Sequence, residues 1–108
     1  MPRKLTGIGI EVPDIVKTFS LLQNYPNPFN PSTIIEYQLP NTGLVHIKIY
    51  DVTGSEVKSL LSEAQNTGTH KIAWQGDNNA GQKVPSGMYV YNVTHNNSTI
   101  SKKMLLLK

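Results

Sequence analysis

The sequence contains no cysteine, which excludes a disulfide framework, a thiolate metal site and a cysteine nucleophile. Only 16% of its 108 residues are charged and the net charge is +3, so it lacks the clustered cations of a nucleic-acid-binding surface. No apolar stretch approaches the roughly 18 residues of a membrane-spanning helix. Residues 1–14 also lack the apolar run of a secretory leader, which an exported chain would have to carry outside this sequence. The 38% hydrophobic content nevertheless predicts one folded domain rather than a disordered segment.

Apolar and polar residues alternate with a period of two along most of the chain, which indicates strands with one buried face. Breakers such as Asn41-Thr42-Gly43 and Pro85-Ser86-Gly87 separate these runs. Residues 55–65 alone show helix-like spacing, and we interpret them as a short strand with a turn. The strand spacing predicts an all-β fold, an Ig-like antiparallel β-sandwich of about seven strands over residues 19–108, with Trp74 and the tyrosines at its centre. Residues 1–18 are expected to form a linker or an extra N-terminal strand.

A proline-rich stretch precedes the first long strand. Its sequence is Tyr25-Pro26-Asn27-Pro28-Phe29-Asn30-Pro31. Proline fixes its own φ and restricts the residue before it, so this stretch has few conformations even in the unfolded chain. We expect a rigid segment that Tyr25 and Phe29 anchor in the sandwich.

Catalytic signatures are weak, and we predict that the protein is not an enzyme. His46, His70 and His95 fall on three different predicted strands, and no aspartate stands at a signature spacing from them. Ser86-Gly87 lacks the Gly-x-Ser-x-Gly pattern of a nucleophile elbow. Trp74, Tyr89 and Tyr91 are interpreted as packing residues rather than as an aromatic ligand platform.

The stretch Asp77-Asn78-Asn79-Ala80-Gly81 carries three oxygen-bearing side chains in a row. Asp77 and Asn79 are therefore weak candidates for a calcium site, although the distal glutamate of an EF-hand loop is missing. A turn explains the stretch better, with Asp77 accepting backbone hydrogen bonds and Gly81 at positive φ. We expect no bound metal and no cofactor.

The C-terminal stretch is the strongest candidate for partner recognition. It reads Lys102-Lys103-Met104-Leu105-Leu106-Leu107-Lys108. A final strand would bury Met104 and Leu106 and turn Lys102 outward, leaving Leu105 and Leu107 as an apolar outer face on an edge strand. Such an edge recruits partners by strand addition, with the lysines orienting the partner. Residues 4–12 could instead complete a neighbouring copy, giving a homo-oligomer or a fibre through edge strands.

Residues 19–108 resemble a known family most strongly in the block Leu22-Gln23-Asn24-Tyr25-Pro26-Asn27-Pro28-Phe29-Asn30-Pro31-Ser32-Thr33. Further matching positions are Ile35, Tyr37, Leu39, Pro40, Val45, Ile47, Tyr50-Asp51-Val52, Gly54, Val57, Gly68, Trp74, Asp77, Gly81, Ser86-Gly87-Met88-Tyr89, Tyr91 and Lys102 to Lys108. The chain is similar to the type A C-terminal sorting domain of the type IX (Por) secretion system. Its second half is also similar to the Ig-like domain of the flagellar hook-capping protein. The structural signature of the resemblance comprises Tyr25, Pro26, Asn27, Pro28, Phe29, Trp74, Gly87 and Tyr89.

The resemblance implies a domain that directs an upstream cargo protein across the outer membrane. On this interpretation the cargo reaches the periplasm by its own leader, an outer-membrane translocon recognises the folded domain, and a sortase removes it at the cell surface. The protein would then be secreted or surface-bound, without a nucleic-acid partner. A self-assembling or adhesive structural module is the alternative, and carbohydrate binding is a third possibility that no residue pattern demands.

Overall fold

The computed structural model describes residues 18–108, and of the preceding chain only the backbone of residues 4–5 and 11–12. Strand β1 (Lys4–Leu5) pairs antiparallel with strand β2 (Glu11–Val12) in a small ladder. The remaining positions of the predicted N-terminal strand, Thr6 to Ile10, lie outside the described residues.

Seven further strands form two antiparallel sheets, as the alternation predicts. The three-stranded sheet has the order β3-β4-β7 and the four-stranded sheet the order β6-β5-β8-β9. Their bounds are β3 Ser20–Leu21, β4 Thr33–Leu39, β5 Gly43–Tyr50, β6 Glu56–Gln65, β7 Gly68–Trp74, β8 Gly87–His95 and β9 Ser98–Leu106. The predicted all-β sandwich is thereby confirmed. The described part of the chain includes no helix long and apolar enough to cross a membrane.

The core lies between the two sheets and is centred on aromatic side chains. Trp74 is fully buried, with its ring 5.4 Å from that of Tyr89 in an edge-on arrangement and 5.6 Å from that of Phe29. Tyr37 and Tyr91 are also buried. Apolar residues at alternate positions of β4, β5, β8 and β9 fill the remaining space, because each strand directs every second side chain inward.

Tyr25 does not anchor the proline-rich stretch in the core, contrary to expectation, since 77% of its surface is exposed. Its backbone pairs with that of Ile34, through Tyr25 N–H to Ile34 O at 3.0 Å and Ile34 N–H to Tyr25 O at 2.8 Å. Directly paired residues place their side chains on the same face of a sheet. Because Ile34 faces outward from β4, the ring of Tyr25 is held on that outer face as well.

Strand β6 is ten residues long, rather than the predicted short strand with a turn. Two register shifts against β5, one after Ile47 and one after Ile49, leave Leu60 and Val57 as extra residues. A bulge of this kind interrupts the alternation of side chains. The helix-like spacing of the apolar residues is therefore the sequence pattern of a twice-bulged strand.

Candidate functional site

Residues 24–31, here called the proline-rich segment, lie along the outer edge of β9. Phe29 N–H donates to Leu105 O and Leu107 N–H donates to Phe29 O, both at 3.0 Å, which forms a single parallel bridge. The Asn27 side-chain oxygen accepts a hydrogen bond from Leu105 N–H at 3.0 Å. We call this contact between residues 23–31 and residues 103–108 the junction.

The junction satisfies several outward-facing backbone groups at the end of β9. Besides the bonds to Leu105 and Leu107, Gln23 Nε2 donates to Lys103 O at 2.8 Å. An incoming strand needs these groups unpaired. Strand addition over residues 103–108 would therefore have to displace the proline-rich segment.

A buried polar cluster fixes the start of the proline-rich segment. Asn24 is 1% exposed, and its N–H donates to the Tyr91 hydroxyl at 2.8 Å, while that hydroxyl donates to Leu22 O at 2.9 Å. Asn24 Nδ2 donates to Thr33 Oγ1 at 2.9 Å, and Thr33 Oγ1 donates to Pro26 O at 2.9 Å. Burial raises the pKa of Tyr91, so the hydroxyl keeps the proton that it donates.

The far end of the segment depends on Phe29 and on a close approach at Gly76. Phe29 is buried and packs on Trp74. A Cβ added at Gly76 would lie 3.0 Å from Pro31 O and 3.6 Å from a Leu106 methyl group, and Gly76 has a φ of +70°. Glycine is required here because the positive φ disfavours a side chain and because Pro31 O leaves no room for one.

The seven predicted partner-recognition residues divide between core and surface. Met104 and Leu106 are buried, Leu105 is half-buried, and Lys103, Leu107 and Lys108 are exposed. The expectation that Lys102 points outward is wrong. It shares the face of Met104 and Leu106 and is half-buried, because residues two apart on a strand lie on the same face.

The signature residues divide in the same way. Trp74, Tyr89 and Phe29 lie in the core, and Gly87 opens β8 opposite Leu106. The exposed members are Tyr25, Pro26, Asn27 and Pro28. The part of the signature that a partner can contact therefore lies in the proline-rich segment. Gln23 and Asn24 also contribute hydrogen bonds to this site, and in the sequence they stand out only as positions of the block that resembles the sorting domain.

The three histidines have separate partners. His46 Nδ1 lies 2.9 Å from Ser62 Oγ, and His95 Nε2 lies 3.0 Å from Asn41 O. His70 Nε2 lies 2.7 Å from Asn66 O, and its ring stacks on that of Tyr37.

Two of the three aspartates have structural partners. Asp51 accepts hydrogen bonds from Thr53 and Ser55 in its own turn, and the bond from the Thr53 hydroxyl is the main cause that lowers the pKa of Asp51. Asp77 forms an ion pair with Lys58 at 3.0 Å. Asp14 lies outside the described residues.

The weak metal candidates Asp77 and Asn79 are both held by residues of β6. Asn79 Oδ1 accepts from Ser59 N–H at 2.8 Å, and its amide group donates to Glu56. The turn itself is held by Asn78, whose Oδ1 accepts from the N–H groups of Ala80 and Gln82, rather than by Asp77 as expected. Gly81 takes the predicted positive φ, +80°. Within the described residues, no group of three or more His, Cys, Asp or Glu side chains could hold a metal ion.

A shallow groove of about 370 Å³ lies on the outer face of the three-stranded sheet. Leu22, Tyr25, Ile34 and Ala73 contribute apolar surface to it. No sequence pattern predicted this groove, although apolar Ile34 occupies a position where the alternation of β4 predicts a polar residue.

The family profile described as FlgD Ig-like domain matches residues 32–99. No curated protein sequence is significantly similar to the chain. Among solved structures, 90% of the chain superposes on 10% of dimeric latent PorU from Porphyromonas gingivalis, at 24% identity and a TM-score of 0.66. PorZ of that organism, described as an essential surface component of its type-IX secretion system, matches at 20% identity and a TM-score of 0.55, over 80% of this chain and 11% of PorZ. FlgD from Xanthomonas campestris matches at 24% identity and a TM-score of 0.56, over 73% of this chain and 58% of FlgD.

The chain thus spans about a tenth of the length of PorU and PorZ. At these identities the structural likeness establishes the fold.

Proposed function

Because the chain belongs to the family of FlgD Ig-like domains, we propose that it uses this fold as a non-enzymatic C-terminal sorting domain. An outer-membrane type IX translocon recognises the domain and exports an upstream cargo protein, which a sortase then releases or anchors at the cell surface. The protein is accordingly secreted or surface-bound.

The junction is the observation that carries this proposal. The block that resembles the start of the sorting domain and the lysine-rich C-terminus are about 80 residues apart in the sequence, yet Asn27 and Phe29 bond directly to Leu105 and Leu107. The specific block of the resemblance and the C-terminal candidate for partner recognition therefore form one surface in the folded domain. A binding partner can contact both at once.

The likeness to PorU and PorZ supports the proposal, because PorZ is described as a component of the type-IX secretion system. The junction also bears on how recognition occurs. Since Lys103 O, both backbone groups of Leu105 and Leu107 N–H are already paired, recognition of the folded domain depends on side chains rather than on strand addition.

The test is an export assay on the full chain. A periplasmic leader and a fluorescent reporter are fused ahead of residues 1–108 and expressed in a bacterium with a working type IX system and in its translocon-null derivative. Sorting predicts surface or medium fluorescence in the first strain only. Reporter retained in the periplasm of both strains would contradict the proposal.

A matched pair of variants tests the surface role of the proline-rich segment. Tyr25 and Val52 are equally exposed, at 77%, and Val52 lies in the turn after β5. Tyr25→Ala is expected to lower export several-fold, whereas Val52→Ala leaves it unchanged. Because neither side chain contributes to the core, equal urea midpoints of the two proteins would show that the difference concerns recognition.

Strand-mediated self-assembly is the second candidate, and the edge of β7 favours it. Ala73 lies opposite Ile34, whose backbone groups bond to Tyr25 on the other side of β4. The alternation of an antiparallel ladder therefore directs the backbone groups of Thr69, Lys71 and Ala73 outward, where no described strand pairs with them. Assembly through this edge predicts concentration-dependent sedimentation of the purified chain that Lys71→Pro abolishes, and a monomer at every concentration would eliminate it.

A further inference from the structure

Charged side chains in the described residues fall into two groups. Three lysines are held by carboxylates, in the pairs Lys48–Glu56 at 3.2 Å, Lys58–Asp77 at 3.0 Å and Lys71–Glu36 at 3.9 Å. The other lysines of the described residues have no described carboxylate within 4.0 Å, and they are Lys83, Lys102, Lys103 and Lys108.

Three of these four lysines lie at the β9 edge of the sandwich. Lys102 and Lys103 are on β9, and Lys108 follows its end. The backbone of Lys83 pairs instead with that of Asp77, whose carboxylate holds Lys58 of β6. The β9 edge therefore carries three lysine charges that no described carboxylate side chain pairs with within 4.0 Å.

The carboxylates of the four-stranded sheet lie at its opposite edge. Glu56 and Glu63 are on β6, and Asp51 precedes that strand. With strands about 4.8 Å apart, three intervals separate the β6 and β9 edges by roughly 14 Å. At physiological salt the Debye length is about 8 Å, so the two groups are largely screened from each other and the junction presents its own positive potential.

Apolar surface accompanies the cations at the junction. Leu107 is 49% exposed, and half-buried Leu105 pairs with exposed Met88 across β8 and β9. A surface that combines leucine and methionine side chains with lysine fits a protein segment with both acidic and apolar residues. A purely phosphate-bearing ligand would use only the charges.

We infer that the junction binds an acidic, partly apolar protein segment of the translocon through the side chains of Lys103, Leu105 and Leu107, which lie two residues apart on the outer face; this rests on the sorting function proposed above. Lys103 and Leu107 are four residues apart, about 13 Å along a β-strand. A complementary segment therefore places a carboxylate opposite Lys103 and apolar side chains opposite Leu105 and Leu107. The paired backbone groups of Lys103, Leu105 and Leu107 take no part in binding.

A titration followed by NMR tests the chemistry of the surface. The ¹⁵N-labelled full chain is titrated with a synthetic peptide in which leucines lie between two acidic ends. Shift changes are expected at residues 103–108 and at Asn27. Lys103→Glu is expected to raise the Kd about tenfold, since reversing one exposed charge removes an attraction and adds a repulsion of similar size. Lys71→Glu, the same charge change on the other sheet, is the matched control and is expected to leave the Kd within about twofold.

Three outcomes of the titration would overturn the inference. The first is shift changes centred away from the junction, and the second is equal loss of affinity in Lys103→Glu and Lys71→Glu. The third is stronger binding to phosphatidylglycerol vesicles or to a second copy of the chain than to the peptide.

The export assay separates this inference from the sorting proposal. If the wild-type fusion is exported and Lys103→Glu is exported as well as Lys71→Glu, the inference is wrong and the sorting function stands. Retention of the wild-type fusion in both strains refutes the sorting function itself. If the wild-type and Lys71→Glu fusions are exported and the Lys103→Glu fusion is not, the result supports both the sorting function and the inference.

Discussion

Tyr91→Phe tests whether the buried polar cluster holds the proline-rich segment in place. The ring of Tyr91 is fully buried, and phenylalanine preserves its packing while removing the hydroxyl. That hydroxyl accepts from Asn24 N–H at 2.8 Å and donates to Leu22 O at 2.9 Å. The substitution therefore removes two hydrogen bonds that connect β8 to the start of the segment, without creating a large cavity.

The expected loss follows from the exposure of the two partners. Asn24 is 1% exposed, so its N–H is left without water or protein partner at a cost of about 1–3 kcal/mol. Leu22 is 40% exposed, so its carbonyl can bind water and adds little. We expect the free energy of unfolding to fall by about 2 kcal/mol, a substantial part of the roughly 5–15 kcal/mol of a small domain.

Urea unfolding followed by the fluorescence of Trp74, the single and fully buried tryptophan, measures this loss. With an m-value of about 1–3 kcal/mol/M, the midpoint should fall by about 1 M. Tyr89→Phe is the matched control, because the Tyr89 hydroxyl makes one bond, to the carbonyl of exposed Pro85 at 2.6 Å, and its loss should cost under about 1 kcal/mol. A loss for Tyr91→Phe no larger than that for Tyr89→Phe would refute the reasoning.

Two further predictions concern alkaline stability and backbone conformation. Burial raises the pKa of Tyr37 from 10.0 to about 12, so folding favours its neutral form; the contribution is full below pH 10 and is lost as the pH rises towards 12. Between pH 10 and pH 12 the free energy of unfolding of the wild type should therefore decline. The decline in Tyr37→Phe should be smaller by up to about 2–3 kcal/mol, and parallel profiles of urea midpoint against pH for the two proteins would contradict this. Gly76→Ala should cost about 1–3 kcal/mol more than Gly54→Ala in thermal unfolding, because both glycines have positive φ but only Gly76 meets Pro31 O; equal melting temperatures would disprove the close-approach argument.

The strand content and the inward faces of the strands follow from the sequence. In β4, β5 and β8 every second side chain turns inward and most of these are apolar and buried, because the strand period of two is a local property of the backbone. Gly81 at positive φ is local in the same sense, since a turn needs only its own residues. The bulges at Leu60 and Val57 interrupt this rule, and the sequence pattern of β6 was misread for that reason.

The candidate site depended on contacts that no local pattern contains. Whether Tyr25 or Phe29 points into the core is decided by the pairing of the proline-rich segment with β4 on one side and β9 on the other. The sequence by itself determined an all-β sandwich and located the two segments that resemble a sorting domain. Only the tertiary structure joined them, because the bonds of Phe29 to Leu105 and Leu107 form once two sheets have packed and brought residues far apart in the chain to the same edge.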